Sequence, residues 1–147
     1  MSGSVDPTHI TVRNSQRAVR VDVAGLVEFA QRALETCTAI PGRRSFPLGE
    51  VAVLLVSDRR IARLHRKFMN VTGPTDVITF QHGEIFISAQ TARRQARRFG
   101  NSFRHELELY IVHGLLHLRG FDDTKAADAR RMQVLQEEIL RSLAAAR

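Results

Sequence analysis

The spacing of apolar positions changes several times along the chain, and each spacing predicts a different element. Residues 9–14 alternate apolar and polar side chains, which is typical of a strand with one buried face. Residues 51–56 are apolar throughout, so we predict a short central strand that is covered on both faces. Two further strands are predicted at 76–80 and 84–88, joined by a short turn at 81–83.

Helical spacing accounts for most of the remaining chain. Apolar positions recur every three or four residues across 23–37, which predicts a helix ending before the turn-rich segment 41–50. Ser57 is a good N-cap for a second helix, whose apolar face carries Ile61, Leu64 and Phe68. A basic helix is predicted at about 89–99 and an apolar helix at about 102–118. A last helix has an apolar face formed by Met132, Leu135, Ile139 and Leu143.

This order of elements predicts the fold class. Strands and helices are mixed in the first part of the chain, and helices alone follow. We therefore predict one α+β domain over residues 1–147, with a small mixed four-stranded sheet packed with about five helices. The length of 147 residues and a hydrophobic content of 44% fit one domain with one core.

Composition also bears on location. No run approaches the roughly 18 apolar residues of a membrane span. Residues 1–10 lack the basic-then-apolar pattern of a secretory signal. The single cysteine, Cys37, cannot form an internal disulfide, and it lies on the apolar stripe of the first helix, which favours a buried thiol. Together these features predict a cytoplasmic protein.

The chain is basic, with 22 Lys and Arg against 15 Asp and Glu, giving a net charge of +7. Many arginines stand in doublets, namely Arg43-Arg44, Arg59-Arg60, Arg93-Arg94, Arg97-Arg98 and Arg130-Arg131. Guanidinium groups pair well with phosphates, and a positive field attracts polyanions. Nucleic acid is therefore one candidate partner. Solvated helix faces are the other interpretation of the same charge.

The stretch "HGLLHLRGFDD", residues 113–123, has the spacing of a zincin-like metal-site helix. Helical residues four apart stand about 40° from each other around the axis, so His113 and His117 can aim at one ion. Gly120 can adopt the left-handed backbone that ends a helix, and the returning chain can bring Asp122 or Asp123 to a third corner. Three protein ligands leave one position for water, as in catalytic zinc sites. The alternative is an incidental pair of histidines.

Gly114 decides which chemistry this site can perform. In a His-Glu-x-x-His peptidase, the glutamate at this position takes the proton from metal-bound water. Glycine has no side chain for that role, so amide hydrolysis would lack its proton shuttle. A phosphodiester is the better substrate, because a metal both activates the nucleophile and neutralises phosphate charge. We predict a hydrolase, with a metallopeptidase as the less favoured alternative.

The same stretch resembles the signature of the YbeY family of endoribonucleases, His-Gly-x-Leu-His-Leu-x-Gly-Tyr-Asp-His. The match runs over 113–122, with phenylalanine in place of the tyrosine. Residues 73–80 resemble the family segment Pro-Thr-Asp-Val-Leu-Ser-Phe, and residues 83–88 resemble its strand Gly-Asp-Ile-x-Ile-Ser. The resemblance thus covers nearly the whole chain.

This resemblance implies a cytoplasmic, metal-dependent endoribonuclease that acts on single-stranded RNA. It implies a role in ribosomal RNA maturation, including processing of the 3′ end of 16S rRNA, and in ribosome quality control. The implied partners are ribosomal RNA and the small ribosomal subunit, with no membrane and no DNA. The implied cofactor is one zinc ion per chain.

The first departure from the family pattern is the third ligand. His113 and His117 carry over directly, but Asp123 stands where the family has a histidine. We predict His113, His117 and Asp123 as the metal-binding and catalytic set, with Asp122 as the alternative third ligand. Because a carboxylate makes the ion less Lewis-acidic and suits harder ions, another divalent metal such as manganese can replace zinc.

The second departure concerns substrate binding. The family has a Tyr-Arg pair at the positions of Phe68 and Met69, and the arginine is expected to contact an RNA phosphate. Methionine cannot do so. Arg66 or Lys67 is the candidate replacement, and ordinary exposed helix residues are the alternative. If nothing replaces the arginine, the chain is a weak or inactive RNA- or ribosome-binding assembly factor.

Thr75 and Asp76 are further candidate substrate-binding residues, because they belong to the family's Pro-Thr-Asp segment. The alternative is structural: they fix the turn into the following strand, or hold a metal-bound histidine by a hydrogen bond.

Overall fold

A computed structural model describes residues 8–42, 44–47 and 49–145 of the chain. Four strands lie in this part of the chain: β1 (His9–Asn14), β2 (Glu50–Val56), β3 (Val77–Phe80) and β4 (Glu84–Ser88). They are accompanied by the helices α1 (Val23–Ala39), α2 (Asp58–Met69), α3 (Ala89–Phe99), α4 (Phe103–Leu118) and α5 (Ala126–Ala145). The predicted α+β class, with a four-stranded mixed sheet and five helices, is confirmed. The N-terminal segment 1–7 and Arg43 lie outside the described residues.

The sheet has the strand order β1-β2-β4-β3. β1, β2 and β4 are mutually parallel, and β3 pairs antiparallel with β4 through a tight hairpin. Gly83 closes this hairpin with φ +121° and donates its backbone N–H to the Phe80 carbonyl at 2.9 Å. Only a residue without Cβ adopts this φ at low cost. In the part of the chain that the structure describes, β3 lies at one edge of the sheet and pairs with β4 alone.

The two faces of the sheet are covered unequally. On one face, α1, α4 and α5 bury a core that includes Val53, Leu55 and Ile85. On the other face, α2 covers Phe86 of β4, while Ala52 and Leu54 of β2 stay only partly buried. The prediction of a central strand at 51–56 is confirmed, but its coverage on both faces is wrong for this second face. The reason is that α2 packs over β4 and leaves β2 partly open.

Two features predicted for the helices, the N-cap at Ser57 and the buried thiol of Cys37, are present. The Ser57 hydroxyl accepts a hydrogen bond from the Arg60 backbone N–H at 3.2 Å, so it caps α2. Cys37 of α1 is fully buried, and burial raises the pKa of its thiol to about 12. The thiol is therefore neutral and inert at physiological pH. No helix in the described part of the chain is long and apolar enough to cross a membrane.

α4 is the central helix and packs against α1, α3, α5 and the strands β3 and β4. Gly114 lies where α4 meets β4. A Cβ at this position would lie 2.8 Å from both Cδ1 and Cγ2 of Ile85, which is closer than real Cβ contacts. The glycine thus lets α4 approach the sheet, and this approach sets the level of His113 and His117.

Candidate metal centre

Three acceptor atoms converge at the C-terminal end of α4. The Nε2 atoms of His113 and His117 lie 3.1 Å apart. Oδ2 of Asp123 lies 3.5 Å from Nε2 of His113 and 3.7 Å from Nε2 of His117. The imidazoles are about three-quarters buried, and the carboxylate is 42% exposed, so the cluster faces solvent on the carboxylate side.

Gly120 produces the turn that brings Asp123 back to the helix. Its φ is +89°, in the left-handed region. Its backbone N–H donates to the His117 carbonyl, and the Phe121 N–H donates to the Leu116 carbonyl, both at 3.0 Å. These two bonds form the Schellman motif that ends many helices at a glycine. The left-handed turn predicted at Gly120 is present.

Both imidazoles are held through their other ring nitrogen. Nδ1 of His113 lies 2.7 Å from Oε1 of Gln136, and Nδ1 of His117 lies 3.0 Å from the Phe121 carbonyl oxygen. Because both partners are carbonyl oxygens, each Nδ1 carries the proton and donates it. Each Nε2 is left with a lone pair that points into the cluster. Metal-bound histidines are oriented in this way by groups outside the ligand shell.

The protonation state of His117 suits ligation. Burial lowers the pKa of its imidazole below the ordinary value of 6.5, and the neighbouring His113 lowers it further. The Asp123 carboxylate and the bond to Phe121 oppose this shift without reversing it. His117 is therefore neutral at physiological pH, as a metal ligand must be.

The spacing of the three acceptors fits a divalent ion. Two Nε2 lone pairs at 3.1 Å repel each other unless a cation lies between them. Ligand atoms at about 2.0–2.1 Å on a tetrahedron around zinc lie about 3.3–3.4 Å apart. The observed separations of 3.1, 3.5 and 3.7 Å bracket that value. Two imidazole nitrogens and one carboxylate oxygen are a donor set that zinc accepts.

Asp122, the alternative third ligand, is engaged elsewhere. Its Oδ1 accepts from the backbone N–H groups of Asp123 at 2.7 Å and Thr124 at 3.2 Å, and its Oδ2 accepts from the Thr124 hydroxyl at 3.1 Å. These hydrogen bonds lower the pKa of the Asp122 carboxyl. Asp122 thus stabilises the turn after α4, and the carboxylate that reaches the imidazoles is that of Asp123.

Comparison with known proteins defines the family. A family profile described as Endoribonuclease YbeY matches residues 11–144. The chain belongs to the YbeY family. Endoribonuclease YbeY of Thermobifida fusca is 39% identical over 114 residues, covering 66% of this chain and 74% of the relative. The protein of that name from Acidothermus cellulolyticus is 33% identical over 147 residues, covering 86% of each chain.

A solved structure agrees with the YbeY assignment of the fold. The solution structure of TM1509 from Thermotoga maritima is 26% identical to this chain and superposes with a TM-score of 0.64. The match covers 91% of this chain and 88% of that chain. The resemblance found in residues 73–88 and 113–122 is therefore part of a similarity over nearly the whole chain.

Met69 stands where the resemblance to the family predicts an arginine, and Arg66 and Lys67 are the candidate replacements. Arg66 and Lys67 stand in the last turn of α2, which packs on the face of the sheet opposite α4. The Lys67 ammonium lies over the Phe68 ring, 5.4 Å from its centroid. Among the described residues, neither side chain forms a hydrogen bond or ion pair with His113, His117 or Asp123, and a role for them in substrate binding stays a prediction.

Thr75 and Asp76 line a separate polar pocket of about 510 Å³, together with Arg94 and Arg98 of α3. Oδ1 of Asp76 accepts the Val77 backbone N–H at 2.8 Å, and the Asp76 carbonyl accepts the backbone N–H at position 88 at 2.9 Å. These bonds support the alternative in which Asp76 fixes the start of β3. A contact of this pair with substrate stays a prediction.

Three residues near the cluster were not predicted from the sequence. Gln136 holds His113 from α5, and Arg44 and Gln81 line a pocket of about 420 Å³ together with His117. The only sequence signal was that Arg44 belongs to a basic doublet. Gln136 and Gln81 carry no local signal, because each is an ordinary polar residue, the first within α5 and the second directly after β3.

Proposed function

We propose that this YbeY family member is a metal-dependent endoribonuclease that cleaves phosphodiester bonds in single-stranded RNA. The observation that carries the proposal is the convergence of three acceptors, those of His113, His117 and Asp123, at ligand-ligand spacing. Family membership supports RNA as the substrate. The same proposal has finer parts. The substrate is ribosomal RNA at the 3′ end of 16S rRNA, and the protein acts in ribosome quality control. Its partner is the small ribosomal subunit, and its location is the cytoplasm.

The proposed cofactor is one zinc ion per chain, with manganese as the alternative. When bound, a divalent ion supplies positive charge for a phosphate oxygen and lowers the pKa of a bound water or hydroxyl. The two imidazoles hold it through Nε2, and Gln136 and the Phe121 carbonyl keep these rings oriented. The carboxylate of Asp123 completes the set and partly neutralises the ion.

The chain offers no general base at position 114, where a peptidase would carry glutamate. The Cβ direction of Gly114 points at Ile85 in the core. Cleavage therefore relies on a nucleophile that is acidified at the centre, either water or the 2′-hydroxyl of the RNA. Such a mechanism suits an anionic phosphodiester better than an amide, and it makes casein-type proteolysis an unexpected activity.

The test measures metal content by elemental mass spectrometry and cleavage of a labelled single-stranded oligoribonucleotide. We expect about one zinc per wild-type chain and cleavage that a chelator abolishes. His117→Ala and Asp123→Ala should lose both zinc and cleavage. His105→Ala is the matched control, because His105 lies on the same helix and outside the cluster, and it should keep both. Substoichiometric zinc that Asp123→Ala leaves unchanged would reject Asp123 as a ligand.

The second candidate function is an RNA- or ribosome-binding assembly factor without turnover. The observation that favours it is Met69, 48% exposed, at the position of the family arginine. This candidate predicts that the wild-type protein binds single-stranded RNA but shows no cleavage above the level of His117→Ala, with zinc present at one per chain.

A further inference from the structure

The pocket beside His117 contains an arginine whose role no sequence pattern indicates. Arg44, from the segment between α1 and β2, lines this pocket of about 420 Å³ together with His117, Gln81 and Asp122. Nη1 of Arg44 donates to Oε1 of Gln81 at 2.6 Å. Gln81 directly follows β3, the edge strand that lies against α4. The guanidinium is thus held at the side of the cluster from which His117 is reached.

Within the described part of the chain, no ion pair neutralises the charge of this guanidinium. Its hydrogen-bond partner there, Gln81, is neutral. The Asp122 carboxylate lines the same pocket, but its hydrogen bonds go to the N–H and hydroxyl groups of its own turn and not to Arg44. A guanidinium has five N–H donors in a planar fork that matches a phosphate. Four of them remain for an anion from solvent.

By contrast, Arg94 in the other polar pocket is already paired. Its Nη1 lies 2.7 Å from Oδ2 of Asp58, and its Nη2 donates to the Thr91 hydroxyl at 3.0 Å. Its charge is therefore partly compensated by the protein itself. Compared with Arg94, Arg44 is the better anion-binding group, because it lies beside His117 and has only a neutral partner.

The position of Arg44 relative to α4 is set by a buried side chain. Arg119, which directly follows α4, is only 8% exposed. Its Nε donates to the Arg44 carbonyl at 2.8 Å, and the Arg44 N–H donates to the Arg119 carbonyl at 3.2 Å. The other guanidinium nitrogens of Arg119 donate to the carbonyl oxygens of Cys37, Thr38 and Ile40. Arg119 therefore ties the end of α1 and the loop after it to the end of the metal-site helix.

From these contacts we propose that Arg44 binds an RNA phosphate beside the cluster of His113, His117 and Asp123. Gln81 orients the guanidinium, and Arg119 is a positioning residue that acts through the Arg44 backbone. The inference rests on the proposed function, since it names the group that holds the RNA at that site. In this chain the cation comes from the loop before β2, whereas the family arginine at the end of α2 is replaced by Met69.

The test compares Arg44→Gln, Arg44→Lys and the control Arg59→Gln on a labelled single-stranded oligoribonucleotide. Arg59 is exposed on α2, so its substitution removes the same charge at a distance from the cluster. Loss of a charge-assisted hydrogen bond is worth about a tenfold or greater weakening. We expect the Kd and KM of Arg44→Gln to rise by about that factor, with zinc content unchanged. Arg44→Lys should recover part of the loss, because it keeps the charge without the fork.

Salt dependence provides an independent readout. Each phosphate neutralised on a single strand contributes about −0.7 to the slope of log K against log salt. Arg44→Gln should reduce the slope by about that amount, and Arg59→Gln should not. For Arg119, the readout is the coupling between its substitution and that of Arg44. Arg119→Gln should raise the KM of the wild-type protein, but it should raise the KM of the Arg44→Gln variant little further. A purely structural role would make the two effects additive.

The outcomes separate this inference from the proposed function. If wild-type protein binds RNA but does not cleave it, and Arg44→Gln still weakens binding, the phosphate-binding role stands and the nuclease proposal fails. If Arg44→Gln binds and cleaves as well as Arg59→Gln does, the role of Arg44 is overturned while the nuclease proposal survives. Absence of RNA binding by the wild-type protein overturns the role of Arg44.

Discussion

Gln136 is the residue whose substitution tests the metal centre most selectively, because it touches no proposed ligand atom. Its Oε1 accepts a hydrogen bond from Nδ1 of His113 at 2.7 Å and so keeps the proton on the nitrogen away from the cluster. Gln136→Leu removes the acceptor and keeps a side chain of similar length that is favourable in a helix. The substitution leaves all three acceptors of the cluster in place.

The expected loss follows from what the His113 ring must do without this partner. Its Nδ1–H loses a partly buried acceptor, and the proton becomes free to move to Nε2, where it competes with the metal. Removal of such an outer partner typically lowers metal affinity about 10- to 100-fold. This corresponds to about 1.4–2.8 kcal/mol of binding free energy. The effect should be smaller than that of His113→Ala, which removes a ligand.

The assay is competition for zinc against a chromophoric chelator at neutral pH. Gln133→Leu is the matched control, because it makes the same substitution one turn earlier on α5 at an exposed position. Melting of the metal-free variants checks that both fold. We expect Gln136→Leu to release zinc to the chelator at least tenfold more readily than Gln133→Leu. Equal zinc affinities for the two variants would refute the role assigned to Gln136.

Three further predictions concern the elements that support the site. Gly114→Ala should lower the free energy of unfolding, measured by urea titration, by about 1–3 kcal/mol, since its Cβ would lie 2.8 Å from Ile85. Adding Ile85→Val should partly restore the stability, and no such rescue would argue against the clash. Gly120→Ala, at φ +89°, should lower the free energy of unfolding by about 1–2 kcal/mol and weaken zinc binding. Gly73→Ala, at a similar φ outside the site, should lower the free energy of unfolding without changing zinc binding. Asp58→Asn tests pH dependence. Burial alone would raise the pKa of this carboxyl, but hydrogen bonds from Arg94, Ser88 and Thr91 lower it below the unfolded-state value near 3.8. The ionised carboxylate therefore stabilises the fold at pH values above 3.8. This contribution is lost as the pH falls through the lowered pKa. The variant should lose about 1.5 kcal/mol at neutral pH, and a loss that persists unchanged in acid would contradict the assignment.

The strands and helices were predictable because each carries its own periodicity. The parallel strand at 51–56 and the amphipathic helix with Met132 and Ile139 are local patterns, and both are present. The openness of the second sheet face was not predictable in the same way. Whether Ala52 and Leu54 are covered depends on where α2 packs across the sheet, and that placement is a long-range property that no local pattern encodes.

The same distinction applies to the site. His113, His117 and Gly120 lie within one helix and its C-terminal turn, so helix geometry alone brings them together. The supporting groups come from distant segments. Gln136 lies 23 residues after the histidine that it contacts, and Arg44 lies 37 residues before the glutamine that orients it. Such groups become visible only when tertiary packing is known, because nothing in the intervening sequence fixes their separation in space.

Gly114 shows why the absence of a glutamate in the motif need not mean loss of function. Its Cβ direction faces Ile85, so a glutamate here would place a carboxylate against an apolar core, where burial without a partner is costly. The glycine instead lets α4 approach β4, and the pocket beside His117 is lined by Gln81, which follows β3, and by Arg44 from the loop before β2. If the three acceptors hold a metal as proposed, position 114 supplies no proton acceptor, and the nucleophile would rely on acidification by the ion. The charged side chain beside His117 is the Arg44 guanidinium, and a cation pairs with an anionic phosphodiester rather than with a neutral amide.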